Sequence, residues 1–274
     1  MVRHFTKKEY HGQNQNWSIA QGPDQCIYVG NYEGVLRYDG AWWRCLPLPT
    51  RQVVRAVACD AAGRVFAGGY GTAGFWQLTK NGQYKFVSIL DSVTNEQAHR
   101  EEYWHVLCTD EAVYFQSFAL ILRYDYQTTQ VLRLPGNGAM MFMRQVNGRL
   151  IVPSIHQGLY VLEGNRTFQQ VAGSTLLAGK RVASMLPLGA DSALVCTEKS
   201  GIYLWTNQGF ERWDTPIDKE ARANQLNKAI RLSNGWLAFG TILQGLFITD
   251  NKGRILYHMH SGNGLQTNTV LDMS

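Results

Sequence analysis

Glu101 and Glu102 stand side by side in the stretch DSVTNEQAHREEYWH, and paired carboxylates are what glycoside cleavage uses, one as acid and one as base or nucleophile. Adjacent side chains on an extended chain point apart, so these two are expected to be solvated loop residues and not a catalytic pair. His258 and His260 would share one face of a strand, as two metal ligands do, but no carboxylate or cysteine at ligand spacing supplies a third, so a surface pair is expected. No G-x-S-x-G elbow is present, and no serine or cysteine has an evident base beside it. GNGAM and GGYGTAG are rich in glycine, yet neither follows a strand and opens a helix as a phosphate-binding loop does. Cys26, Cys45, Cys59, Cys108 and Cys196 lie far apart among apolar neighbours and read as buried free thiols. The residues that could do chemistry thus point away from catalysis, and no cofactor or metal is expected.

What must position these residues is a repeat. A glycine followed by a short apolar strand recurs at Gly34 (GVLRYDG), Gly74 (GFWQLTKNG), Gly158 (GLYVLEGN), Gly201 (GIYLWTNQG) and Gly245 (GLFITDNKG), and ALILRYDYQ is a degenerate copy with Ala119 in place of the glycine. Successive differences among positions 34, 74, 119, 158, 201 and 245 are 40, 45, 39, 43 and 44 residues. Upstream of each anchor lies another short strand (CIYVGN, RVFAGG, AVYFQS, RLIVPS, SALVCT, GWLAFGT), then a turn rich in Asp, Asn and Gly, as tight hairpins need, then a further apolar strand. Downstream, another hairpin leads to a fourth strand, as in AWWRCLPLP and YKFVSIL. Four short antiparallel strands in a period of about 40 residues is the pattern of propeller blades. A sandwich does not explain a four-strand unit recurring six times, and β-helix rungs are much shorter.

The expected fold is therefore all-β, a single β-propeller over residues 1–274, with blades at 14–49, 50–91, 100–135, 138–173, 180–216 and 225–261. The segment 265–274 reads as the first strand of a seventh, so the chain is expected to be an N-terminal fragment of a larger protein. HFTKKEY is expected to add an outer strand, and the open edge to be covered.

Composition agrees with this. Hydrophobic residues make up 45% and charged residues only 17%, which suits a folded, strand-rich chain. The 26 Lys and Arg never form a dense run, so the net charge of +5 gives no nucleic-acid footprint, and no nucleic-acid partner is expected. No apolar run long enough to cross a membrane occurs.

NWSIAQGPDQCIYVGNYEGVLRYDGAWWRCLPLP resembles the first blade of the two-component regulator propeller family, whose repeats join a D-x-x-G turn, an aromatic strand, G-(T/N)-x-x-G-L and a Tyr-Asp ending. Gly30, Asn31, Gly34, Val35 and Tyr38 to Gly40 fit that pattern, and GNGLQTNTVLDM is similar to the family's phrase between blades. SFALILRYD lacks the glycine and PSIHQGLYV has a proline where the family prefers glycine or tryptophan. The resemblance implies the periplasmic sensor region of a regulator, often of Bacteroidetes. Its three-tyrosine domain, membrane helix and output domain, a histidine kinase or a helix-turn-helix, lie beyond this chain. It implies a glycan fragment as the usual ligand, contact with the membrane only through the missing C-terminal parts, and leaves a homodimer of the full-length sensor open.

In a propeller the loops between second and third strands gather with the loops between blades on one face around the channel mouth, and that is where a small ligand is expected. Tyr32, Tyr70, Arg100, Trp104, His156 and Arg181 are the candidate ligand-binding residues, since aromatics mixed with Arg and other polar groups suit a carbohydrate or another polar small molecule. Asn31 and Glu33 fall on the same loops, and so does Asn137. Trp17, Trp43, Trp76, Trp205, Trp213 and Trp236 fall on strands and are expected in the core between blades. A scaffold propeller with a polypeptide partner is the alternative reading, and a propeller lyase or hydrolase a third.

Overall fold

A computed structural model describes residues 3–274, the side chain of Asn137 excepted. The chain divides into two compact units, Arg3–Arg133 and Leu134–Met273. Each holds three four-stranded sheets whose strands follow one another in sequence order.

In the first unit the sheets are β1 to β4 (Asn16–Gln21, Ile27–Asn31, Gly34–Tyr38, Trp43–Leu46), β5 to β8 (Val54–Cys59, Val65–Gly69, Thr72–Leu78, Tyr84–Ser88) and β9 to β12 (His105–Cys108, Val113–Gln116, Ile121–Tyr124, Thr129–Leu132). In the second they are β13 to β16 (Arg144–Val146, Arg149–Ser154, Gly158–Glu163, Thr167–Gln170), β17 to β20 (Val182–Gly189, Ser192–Thr197, Ile202–Thr206, Gly209–Arg212) and β21 to β24 (Leu226–Arg231, Leu237–Thr241, Leu246–Thr249, Ile255–Met259). All neighbouring strands are antiparallel. These are the six expected four-stranded blades of a β-propeller.

Blades pack face to face within each unit. Val35, Leu46 and Tyr28 of the first blade meet Val57, Val65 and Trp76 of the second, and Phe66 and Phe75 of the second meet Phe115 and Leu122 of the third. In the second unit Ile151 and Leu159 meet Met185 and Val195, and Leu194 meets Ala229 and Phe239. A serine on the first strand adds a polar stitch, because Val57 N–H donates to Ser18 Oγ at 2.8 Å and Ala229 N–H to Ser184 Oγ at 2.9 Å.

The Tyr-Asp ending of the repeat has a local job. Asp39 accepts the N–H groups of Ala41 and Trp42, Asp125 those of Gln127 and Thr128, and Asp250 those of Lys252 and Arg254. Each carboxylate thus closes the hairpin between third and fourth strands, and these bonds hold Asp39 and Asp125 below the usual carboxylate range.

Three expectations are corrected, and one further element is found. HFTKKEY adds no strand. Lys7–Tyr10 form a short helix, α1, closed by a capping box in which Glu9 Oε2 accepts the Thr6 N–H at 2.7 Å. The T-x-x-E spacing at Thr6 and Glu9 is itself a helix-start signal and outweighs the strand propensity of the flanking aromatics. Phe5 and Tyr10 then lie on Val29, Leu36 and Trp43, covering the outer face of the first blade. In the second blade the crossing glycine is not Gly74. The turn falls at Tyr70 and Gly71, β7 begins at Thr72, and Gly74 lies inside the strand, where a Cβ would collide with the Val87 carbonyl. Residues 265–274 form no strand, since an inner strand ladders with the second strand of its own blade and none is present for it among the described residues. The segment is instead strapped to the sixth blade, with Val270 N–H on the Thr241 carbonyl at 3.0 Å and the Asn227 amide on the Val270 and Leu271 carbonyls. Finally, Pro216–Ala223, between the fifth and sixth blades, form a helix, α2, with proline in its first turn as helix starts favour.

No two cysteines are bonded to each other, and burial pushes the thiols of Cys26 up to about 11 and Cys59 up to about 12, with Cys45, Cys108 and Cys196 also raised. The thiolate is the reactive form. At pH 8 an aromatic disulfide reagent should therefore release almost no colour from the folded protein within minutes, and the signal of five thiols at once on addition of denaturant.

Candidate ligand-binding site

The first strands of four blades carry a bulge at the same place, between Asn16 and Ser18, Val54 and Ala56, Val182 and Ser184, and Leu226 and Lys228. A bulge leaves one residue out of the ladder and re-aims its side chain. In the first unit the two residues so released are Trp17 and Arg55.

They meet there. The Arg55 guanidinium lies 4.2 Å from the Trp17 ring centre and 4.5 Å from that of Trp104, which the third blade supplies just before β9. Trp17 and Trp104 touch edge to face at 5.8 Å, and Phe118 lies against Trp104 at 6.3 Å. Arg55 Nε donates to Glu102 Oε1 at 2.7 Å, and Glu102 bridges to the backbone of Tyr70. Three consecutive blades thus build one aromatic and cationic patch. Cation–π contact with two mutually perpendicular rings and a charge-assisted hydrogen bond fix the guanidinium. Its two Nη groups donate to no protein acceptor, and the buried Trp17 Nε1–H has none either, among the described residues. The patch offers the Arg55 Nη donors beside apolar ring surface, while the Trp17 N–H stays buried beneath it, a combination suited to an oxygen-rich ligand.

The sequence candidates are placed unevenly around it. Trp104 is in the patch, and Tyr70 is on its border, 53% exposed. Tyr32, on the β2–β3 turn, is 56% exposed and is not among the aromatic contacts of the patch. The Arg100 side chain is 76% exposed and, among the described residues, pairs only with Glu96, at 3.7 Å. In the second unit Arg181 pairs with Glu198 at 3.2 Å, and Glu198 in turn accepts from Gln225 at 2.8 Å, a polar chain from the fifth blade to the loop leading into the sixth. His156, on the β14–β15 turn, is exposed and takes no part in that chain.

Several readings of single residues change. Trp17 belongs to the patch and not to the core between blades, because the bulge turns it out of the strand's alternation. Asn31 is fully buried, its amide donating to the Gln13 and Gln15 carbonyls and to Asn16 Oδ1, so it ties the incoming chain to the first blade and cannot face a ligand. Glu101 and Glu102 do point apart, but neither is merely solvated: Glu101 accepts from Gln97 at 2.6 Å, and Glu102 holds Arg55. His258 stacks flat on Phe247 at 4.1 Å and its Nε2 lies 2.7 Å from the Gln244 carbonyl, while His260 Nδ1 accepts from Gly262, so the imidazoles serve the sixth blade itself. Among the described residues no group of three or more His, Cys, Asp or Glu is placed to hold a metal ion. Sequence reasoning missed Arg55, whose signal exists only once the pairing register is known.

No protein-family model matches the chain, and no curated protein sequence matches it. Solved structures do match. The extracellular domain of BT4673 from B. thetaiotaomicron, described as part of a hybrid two-component system, superposes with a TM-score of 0.71 at 14% identity, over 99% of this chain and 36% of that one. The WD40 propeller domain of Doa1 gives 0.72 at 10% identity, over 95% of this chain and 86% of that one. A catalytically inactive virginiamycin B lyase from Staphylococcus aureus with quinupristin gives 0.69 at 12%, over 94% and 87%. At such identities the likeness establishes the propeller fold. The chain spans about a third of the BT4673 domain.

Proposed function

We propose that this chain is a ligand-sensing propeller of an extracytoplasmic regulator, periplasmic in a Bacteroidetes-type cell, that binds a glycan-derived or other oxygen-rich small molecule without transforming it. Its output then runs through domains outside this chain. The observation that carries the reading is the patch of Trp17, Arg55 and Trp104, where three successive blades present edge-to-face rings around a guanidinium with unspent donors. Both carboxylates near it are committed to Arg55 and Gln97, which argues against a catalytic pair. No helix among the described residues is long and apolar enough to cross a membrane.

Calorimetry against oligosaccharide pools tests the proposal. Saturable heat is expected with the unaltered chain, weakened at least about tenfold, or about 1.4 kcal/mol, in Arg55→Ala and in Trp104→Ala. Heat that survives both changes would place the ligand elsewhere. Absence of heat with every pool would favour the scaffold reading, a polypeptide partner.

A further inference from the structure

The fourth and fifth blades, both in the second unit, leave a cleft of about 660 Å³ between them. It is walled by the β13–β14 turn, the end of β16 and the turns β17–β18 and β19–β20. Its volume is that of a small-molecule site. The floor includes Trp205, held flat against Phe210 with ring centres 5.5 Å apart and planes 8° from parallel, and Arg149 approaches the Trp205 ring at 5.9 Å. Around this plate stand Gln169, Asp191, Asn207 and Gln208.

The polar lining is uncommitted. Among the described residues the side chains of Arg149, Gln169, Asp191, Asn207 and Gln208 make no hydrogen bond or ion pair within the protein, in contrast to Gln170, which donates to the Gln157 carbonyl. One cation and one anion cancel, which leaves amides as the prevailing groups. Each amide presents both a donor and an acceptor, as a hydroxyl does, so the set has no bias toward a charged ligand. A rigid indole surface with a ring of amides answers a molecule that is apolar on its flat faces and hydroxylated at its edge.

We infer that this cleft is a second binding site, for a neutral oligosaccharide, separate from the patch of the first unit and independent of the function proposed for it. The test uses the whole chain and a panel of neutral hexasaccharides (maltohexaose, cellohexaose, xylohexaose, mannohexaose), with binding read from the tryptophan indole signals in ¹⁵N NMR. The Trp205 signal, identified by its loss in Trp205→Ala, should shift saturably with one member of the panel. That shift should be lost in the doubly altered Arg149→Ala/Asn207→Ala, whose changed side chains lie at the cleft surface, and should persist in Trp104→Ala. Failure of every member to move the Trp205 signal at millimolar concentration overturns the proposal. Retention of the full shift in Arg149→Ala/Asn207→Ala, or its loss in Trp104→Ala, overturns it equally. Because Trp104→Ala strikes only the first unit's patch, the two sites fail or stand separately.

Discussion

Gly34→Val should lower stability by about 3–5 kcal/mol and shift the denaturant midpoint of the first unit accordingly, whereas Gly40→Ala, six residues on, should cost no more than about 1–2 kcal/mol. Both glycines hold a positive φ, +141° and +96°. They differ in what surrounds them. A Cβ on Gly34 would collide with the Leu46 carbonyl and sit within 3.0 Å of the Pro47 Cα, all backbone that cannot swing aside, while a Cβ on Gly40 would meet nothing within 4 Å. A β-branched residue adds its own conflict with that dihedral. The pair of variants separates dihedral strain, common to both, from collision with the fourth strand, which only Gly34 feels. Equal midpoints for the two would mean that the fourth strand yields, and that the repeat's glycine is needed for the turn alone.

Asp218→Ala should cost about 2–4 kcal/mol, and Asp218→Asn should recover roughly half of that. Asp218 sits on α2, fully buried, with its Oδ1 accepting the Ile202 N–H at 2.6 Å and its Oδ2 facing Arg222 at 3.1 Å and Arg212 at 3.6 Å. The two guanidinium groups are 40% exposed, so water takes over much of their share when the carboxylate goes. The Ile202 N–H has no such relief inside the fifth blade, and an unsatisfied buried donor dominates the loss. Asparagine keeps an acceptor for that N–H but loses the charge. Urea titration of the three proteins at pH 7 decides it, and an alanine variant as stable as its parent would show that α2 does not anchor the fifth blade.

The blades were readable because everything that makes one is local. Asp39, Asp125 and Asp250 announce their hairpins within four residues, and the alternation of apolar positions marks the strands between. Positions that depend on register were not readable. A bulge has no sequence signature of its own, so strand alternation assigned Trp17 to the core and passed over Arg55 altogether. Glu102 finds its partner 47 residues away, a distance over which no local pattern speaks. The helix over Lys7–Tyr10 was legible in T-x-x-E but was outweighed by the expectation of an extra strand at the propeller's edge. Trp104 and Tyr70 were singled out by the simple rule that rings on loops at one face of a propeller are conspicuous, and they lie in and beside the patch.

The cover laid by Phe5 and Tyr10 over the first blade bears on the order in which the molecule is made. All of its partners, as far as Trp43 and Cys45, lie within about 40 residues of Phe5 along the chain. The first blade can therefore bury its outer face as soon as it is synthesised, without waiting for any distant part of the chain, and loop closure across so short a span is fast. Every partner of that cover precedes the second blade in the chain, so this apolar face is closed before the later blades are made and is withheld from aggregation partners.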